Sequence, residues 1–408
     1  MTAQTEEYCE FRETSRDRAN AARSEGTGNF PLPPACRDDV QGWIQMDSPR
    51  AIVACGYVEF ARLHSDARFN LAGSGVAAFS LRALPVSIDD LEINGPALYG
   101  YPPLIERLAR LKRVDPECVV HAGGTAMANH LAMAALFDPG DDVLIEEPAY
   151  EPLVATALFL GARVRRFPRR AETGYAIEGA EIERHMTPRT RLIVVTNLHN
   201  PSSALASRAA MEEAGRVARR HGAHVLVDEV YLETLFAHPE PSAFHLGEEF
   251  VATSSLTKAY GLGGLRCGWI LARPQLAQKL WRLNDLFGVT PVHAGELLSV
   301  AALDHLSAIA RRAEEIVETN RNTLRAMAGD FQNLDLTVPE HGTTLFPRLQ
   351  RGEVEGLCRL LRERYETSVV PGRYFDRPDH IRIGLGGDPE MTREGLARLA
   401  SALRQWQN

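Results

Sequence analysis

The chain has 408 residues, with 53 acidic against 45 basic side chains, a formal charge of −8, and 45% hydrophobic and 24% charged residues. That length exceeds one small core, so two globular domains are expected, and the acidic balance excludes a broad nucleic-acid surface, which needs clustered Lys and Arg. The six cysteines (Cys9, Cys36, Cys55, Cys118, Cys267 and Cys358) form no C-x-x-C pair, so no metal site or disulfide framework is expected, and reduced thiols fit a cytoplasmic enzyme.

Residues 1–30 are polar and read as a disordered or extended arm, without the apolar stretch of a signal peptide. No apolar run reaches the roughly 18 residues of a membrane helix. PLPP at 31–34 marks the entry into structure, and 31–90 reads as the first part of a smaller domain. From 91 to 295 helical and strand patterns alternate. LIERLARL (104–111) has helical spacing, CVVHAG (118–123) reads as a strand, NHLAMAALF (129–137) as a helix, and DVLIEE (142–147) and ARVRRF (162–167) as strands. RLIVVTN (191–197) is a buried strand, AAMEEAGRVARRHG (209–222) an amphipathic helix, and HVLVDEVY (224–231), FVATSS (250–255) and CGWILA (267–272) are strands. Apolar strands separated by helices predict an α/β domain with a mainly parallel sheet covered on both faces. Residues 296–408 read as α+β: a long helical stretch over 293–328, short strands near 333–337, 344–349, 367–370 and 379–384, and a last helix over 391–405.

Ligands of open α/β sheets bind beyond the carboxyl ends of the strands. Those ends collect Gly123-Gly124-Thr125-Ala126, Pro148-Ala149-Tyr150, Asn200-Pro201, Asp228-Glu229-Val230-Tyr231 and Leu256-Thr257-Lys258. Singly, each has an ordinary reading: Asp228 as a helix cap, Asn200-Pro201 as a turn, Tyr150 as a core aromatic, Lys258 as a surface amine. Together they gather an acid, an amide, phenols, an amine and a glycine-rich helix start on one edge. GLGGLRCG (261–268) imitates a dinucleotide fingerprint, but Arg266 stands at its last glycine and no apolar strand leads directly into it, so that reading fails.

The chain resembles the fold-type I, pyridoxal-phosphate-dependent class I/II aminotransferases. The stretches that carry the likeness are LYGYPPLIERL, AGGTAMANHLAMAALFDPGDDVLIEEPAYEP, NLHNPSS, VLVDEVY, SSLTKAYGLGGLRCG, VVPGRYFD and HIRIGL. The resemblance implies a large cofactor domain with a mainly parallel central sheet, and a smaller α+β domain built from the N- and C-terminal segments. It implies that Lys258 forms a Schiff base with pyridoxal 5′-phosphate, that Asp228 pairs with the pyridine nitrogen, that Asn200 and Tyr231 bond the ring oxygen and that Tyr150 stacks on the ring. Gly124, Thr125 and Ala126 at a helix start, with Ser255 and Arg266, would hold the phosphate. Arg382 would clamp the substrate carboxylate, with Asn200 and a loop near Gly75 beside it; the register between Gly73 and Gly75 stays open. Tyr99 would reach the phosphate of a second subunit, which implies a homodimer with shared active sites.

Three positions depart from the family pattern. NPSSA replaces Asn-Pro-Thr-Gly, Ala126 lacks a hydroxyl, and LNDLFGVTPVH (283–293) has no arginine for a dicarboxylic side chain. The implied activity is ping-pong transfer of an amino group between an α-amino acid and a 2-oxo acid. A β-lyase, cyclase or synthase of secondary metabolism would keep the same cofactor residues. An aminotransferase-like regulator would need a DNA-binding segment, and residues 1–69 show no helix-turn-helix.

Overall fold

The computed structural model describes residues 55–406, apart from Ser65 and Ala97. The polar arm at 1–30, PLPP at 31–34, Cys9 and Cys36 lie outside the described residues. A seven-stranded sheet forms from β1 (Val119–Gly123), β2 (Asp142–Glu147), β3 (Arg163–Pro168), β4 (Thr190–Thr196), β5 (His224–Asp228), β6 (Phe250–Ser255) and β7 (Cys267–Leu271). Its order is β1-β7-β6-β5-β4-β2-β3. From β6 to β3 every pairing is parallel, while β7 runs antiparallel to both β6 and β1.

The inner strands are buried along nearly their whole length because both faces are covered. In β4, Leu192 and Val194 join one core while Ile193 and Val195 join the opposite one, as a two-residue period requires. The first core is closed by α3 (Thr125–Leu136), α4 (Glu151–Phe159) and α8 (Pro274–Asn284), through Leu131, Leu153 and Leu280. The second is closed by α5 (Gly179–His185) and α6 (Arg208–Arg220), through Ile182, Met211 and Val217. A third gathers Trp269 of β7 with α2 (Pro102–Lys112), α9 (His293–Asp304) and α10 (Leu306–Ala326). A further core joins the end of α10 to α11 (Val354–Tyr365), β8 (Ile381–Gly384) and α12 (Pro389–Trp406). The sheet's two edges differ. β1 is buried along Val119–Ala122 and packs on α2, α3 and α8, whereas β3 exposes Arg163 and Arg165.

Several expected boundaries move. The stretch 293–328 is two helices, α9 and α10, because His305 leaves helical geometry at φ −115° and ψ 16°. The apolar period continues across that break, so spacing alone does not reveal it. β5 stops at Asp228 rather than Tyr231, since the Asp228 side chain accepts from its own Val230 N–H at 3.0 Å and turns the chain. α4 reads EPLVATALF, apolar nearly all round, so it shows no helical stripe.

Candidate active site

Asp228 ends β5 in the middle of the sheet and is 3% exposed. Its Oδ2 accepts from Asn129 Nδ2 at 2.8 Å, and Asn129 is held in turn by Thr253 Oγ1 at 2.5 Å. Burial pushes the carboxyl up to about 6, although the Asn129 and Val230 hydrogen bonds and the Lys258 charge pull the other way. A carboxylate so placed gains most from a cationic partner.

Lys258 lies in α7 (Thr257–Tyr260), just past β6. Its Nζ donates to Ser74 Oγ at 3.0 Å, and its carbonyl accepts from Val76 N at 2.8 Å. A Cβ on Gly75 would lie 3.3 Å from Lys258 Cα, whereas one on Gly73 would meet nothing within 4 Å. Gly75 therefore packs on the lysine.

The opposite end of the site could hold an anion. α3 starts without a side-chain cap, leaving its first N–H groups to an outside acceptor. Thr125 Oγ1 donates to Ser255 Oγ at 2.8 Å, and Arg266 Nη2 donates to Gly123 O at 2.8 Å. Gly124 has φ +88°, and a Cβ there would fall 2.3 Å from Arg266 Nη2, so only glycine lets the guanidinium lie over the helix start. Ala126 stands exposed in that first turn. Thr125, Ala126, Tyr150, Asn200, Asp228, Tyr231, Ser255, Lys258 and Arg266 line one cavity.

Arg382 of β8 is 0% exposed. Its Nη1 donates to Asn200 Oδ1 at 3.1 Å, and its Nη2 donates to Tyr57 Oη at 2.8 Å and Ala72 O at 3.0 Å. Each acceptor is neutral, and Nε has no partner among the described residues. A buried guanidinium without a carboxylate is an anion site in waiting. Tyr150 meets the Tyr57 ring edge-on at 5.2 Å.

Tyr99 is not brought to this cavity within its own chain: it is 61% exposed and its hydroxyl donates to Asp285 Oδ2 at 3.0 Å. Sequence reading missed Tyr57, Ser74 and Asn129. Asn129 follows Thr125 by four residues, one helical turn, which is a usable signal. Tyr57 and Ser74 carry none, because they come from α1 (Gly56–Leu63) and an irregular loop. Missed too was a buried support below Asn200. Glu146 Oε1 accepts from Thr196 N at 2.8 Å and Thr196 Oγ1 at 2.6 Å, Thr196 Oγ1 accepts from Asn200 N at 3.0 Å, and Arg169 Nη1 closes on Glu146 Oε2 at 2.7 Å.

Residues 92–399 match the family model described as aminotransferase class I and II. Capreomycidine synthase of Streptomyces vinaceus is 32% identical over 372 residues, covering 87% of this chain and 95% of that protein. Arginine–pyruvate transaminase of Pseudomonas aeruginosa is 28% identical over 386 residues, covering 83% and 97%. Among solved structures, a PLP-dependent aminotransferase from Streptococcus suis superposes with a TM-score of 0.82 at 27% identity, covering 89% of this chain and 100% of that one.

The state of Asp228 has a measurable consequence for the ligand-free protein. The folded carboxyl keeps its proton up to about 6, whereas an unfolded chain releases it near 3.9. Between those values the folded state binds more protons, so stability falls as pH rises, by about 3 kcal/mol at most. Glu229, pushed to about 7 by burial, adds a loss of the same sign, spread from about 4.3 to about 7, which cancels between wild type and Asp228→Asn. The measurement is the urea midpoint of wild type minus that of Asp228→Asn, from about pH 4 to about pH 7. The difference should decline through about pH 5 and level off above 6; a flat line would mean that Asp228 titrates as in water.

Proposed function

The chain belongs to the aminotransferase class I and II family, and from that premise we propose that it is a pyridoxal 5′-phosphate-dependent enzyme moving an amino group between an α-amino acid and a 2-oxo acid. The observation that carries this reading is Arg382, a fully buried cation with neutral partners, bonded to the Asn200 that lines one cavity with Lys258 and Asp228. It fits a ligand with a carboxylate on the carbon that also bears the amine.

The residues fit the cofactor as well. The uncapped start of α3, Thr125, Ser255 and Arg266 suit its phosphate, and Asp228 suits its ring nitrogen. When bound, the cofactor supplies an electron-withdrawing ring in conjugation with the substrate's Cα. Asp228 would stabilise positive charge on the ring nitrogen. Tyr150, which lines the cavity, would stack on the ring, and Tyr231 and Asn200 would bond its oxygen, Asn200 being held by Arg382 Nη1. Arg382 fixes the substrate by its carboxylate so that Cα faces Lys258. The Lys258 amine takes the Cα proton and gives it back on the far side of the transfer, as a positioned general base and acid.

The 32% identity to a synthase favours a second reading, in which the same residues serve a cyclase or synthase step that leaves the amino group on the product. We further propose the division into a large domain at 91–295 and a small one from 55–90 with 296–408, the 31–54 part of the expected small domain lying outside the described residues. We propose a homodimer too: Ile93, Leu98, Leu286, Val289 and Val292 are exposed on two loops that Tyr99 and Asp285 tie together, an apolar surface suited to a second copy.

Borohydride treatment of the loaded protein should leave the cofactor covalently fixed on the peptide containing Lys258, and Lys258→Ala should carry no label; a label on another lysine overturns the assignment. Mixing the loaded enzyme with single amino acids and assaying the 2-oxo acid formed separates transamination from the second reading, whose product keeps its amine.

Substrate choice follows from charge. Residues 283–293 hold Asp285 and no arginine; they do not line this chain's own cavity, but in the proposed homodimer they would face that of the second copy, where an acidic side chain meets repulsion without a partner. Neutral, aromatic or basic donors should exceed aspartate and glutamate by about tenfold or more in half-reaction specificity constants, since about 1.4 kcal/mol suffices for that. Aspartate well ahead of leucine, phenylalanine and arginine would show the pocket misread.

A further inference from the structure

The donors of Arg382 are not all open to a ligand. Nη2 carries two hydrogens, and both are engaged, by the Tyr57 phenol at 2.8 Å and the Ala72 carbonyl at 3.0 Å. A carboxylate that grips a guanidinium with both oxygens uses two adjacent N–H groups along one edge. Both edges that permit this, Nη1 with Nη2 and Nε with Nη2, include Nη2. A carboxylate must therefore displace one of its two acceptors. Ala72 O belongs to the main chain, in a turn where Asn70 Oδ1 accepts from Ala72 N at 2.9 Å. Tyr57 is a side chain near the start of the eight-residue α1, whose first N–H groups are held by Glu151: Oε1 at 3.1 Å from Gly56 N and Oε2 at 2.5 Å from Tyr57 N. The movable acceptor is Tyr57.

We propose that the Tyr57 phenol is a placeholder for the substrate's α-carboxylate, bonded to Arg382 Nη2 until a carboxylate oxygen takes its position. Tyr57 is thus a positioning residue. It keeps a buried cation solvated in the free enzyme, and it weakens the initial binding of every carboxylate by the hydrogen bond that must first be broken. The phenol is suited to the part. Burial would raise its pKa, but the charges of Arg382 and Lys258 outweigh burial and lower it, so the phenol oxygen is a good acceptor for the guanidinium. The Ser74 hydroxyl, which accepts from Lys258 Nζ, also acts on this phenol, so the displaced group has a second polar neighbour. The proposal rests on Arg382 being the carboxylate site.

The test uses the cofactor-loaded enzyme with propionate as probe, its binding followed by the change in cofactor absorbance. Tyr57→Phe removes the hydroxyl and keeps the ring among Tyr150, Tyr374 and Phe375. It should bind propionate at least about threefold more tightly, and lower KM for the amino donor without raising kcat. Glu151→Ala releases the start of α1 while leaving both Tyr57 and Arg382 in place, and should shift binding in the same direction; it keeps the test open if Tyr57→Phe fails to fold. Unchanged or weaker binding in both variants overturns the placeholder. Arg382→Gln separates the two levels: undiminished propionate binding in that variant would instead overturn Arg382 as the carboxylate site.

Discussion

A carboxylate in the centre of a covered sheet costs several kcal/mol unless its surroundings compensate, and Asp228 sits in that position. Much of the local architecture answers this constraint. α3 brings Asn129 to one oxygen, β6 steadies Asn129 through Thr253, and the chain folds back so that Val230 N–H meets the other oxygen. These contacts hold the group in place without neutralising it. The remaining electrostatic need is one that a bound cation meets, so the fold stores at this point a preference for a particular kind of ligand. Arg382 poses the same problem with the opposite sign and receives the same treatment: neutral acceptors and no carboxylate.

Elsewhere a different solution is used. Glu146 and Arg169 are both 0% exposed and pair directly, beneath Thr196 and Asn200. A closed pair of this kind adds little net stability but is costly to break, and it fixes geometry because each member accepts few alternatives. Its carboxylate takes both the N–H and the hydroxyl of Thr196, whose oxygen then holds the backbone of Asn200. The charges proposed to meet a ligand are left with neutral partners, and the Glu146–Arg169 charges, which support the frame, are paired with each other.

How much of this was legible follows from where chemistry meets periodicity. Asp228, Asn200, Tyr150 and Lys258 could be read because each stands where a run of apolar strand residues stops, and a polar residue at such a boundary breaks a pattern. Asn129 shares a helix face with Thr125 and was within reach of the same reasoning. Tyr57 and Ser74 were not, since they arrive from a short helix and a loop whose places depend on Glu151, Thr343 and Gly386, far away in the chain. The break at His305 and the uniformly apolar α4 were hidden for the converse reason. Both are local events inside stretches whose hydrophobicity is continuous, and tertiary packing decides them.

Along β3, RVRRFP sends Phe167 and Val164 into the two cores and leaves Arg163 and Arg165 outside. β3 ends the sheet, and its outward Arg163 and Arg165 place fixed positive charge along a row of backbone groups that would otherwise invite another strand. Two copies meeting edge to edge there would bring like charges together. The opposite edge, β1, lies under helices and has no such decoration. Among the described residues the sheet therefore offers no inviting border: strand-by-strand growth is opposed by charge at one edge and by covering helices at the other, so any meeting of copies is turned away from the sheet edges.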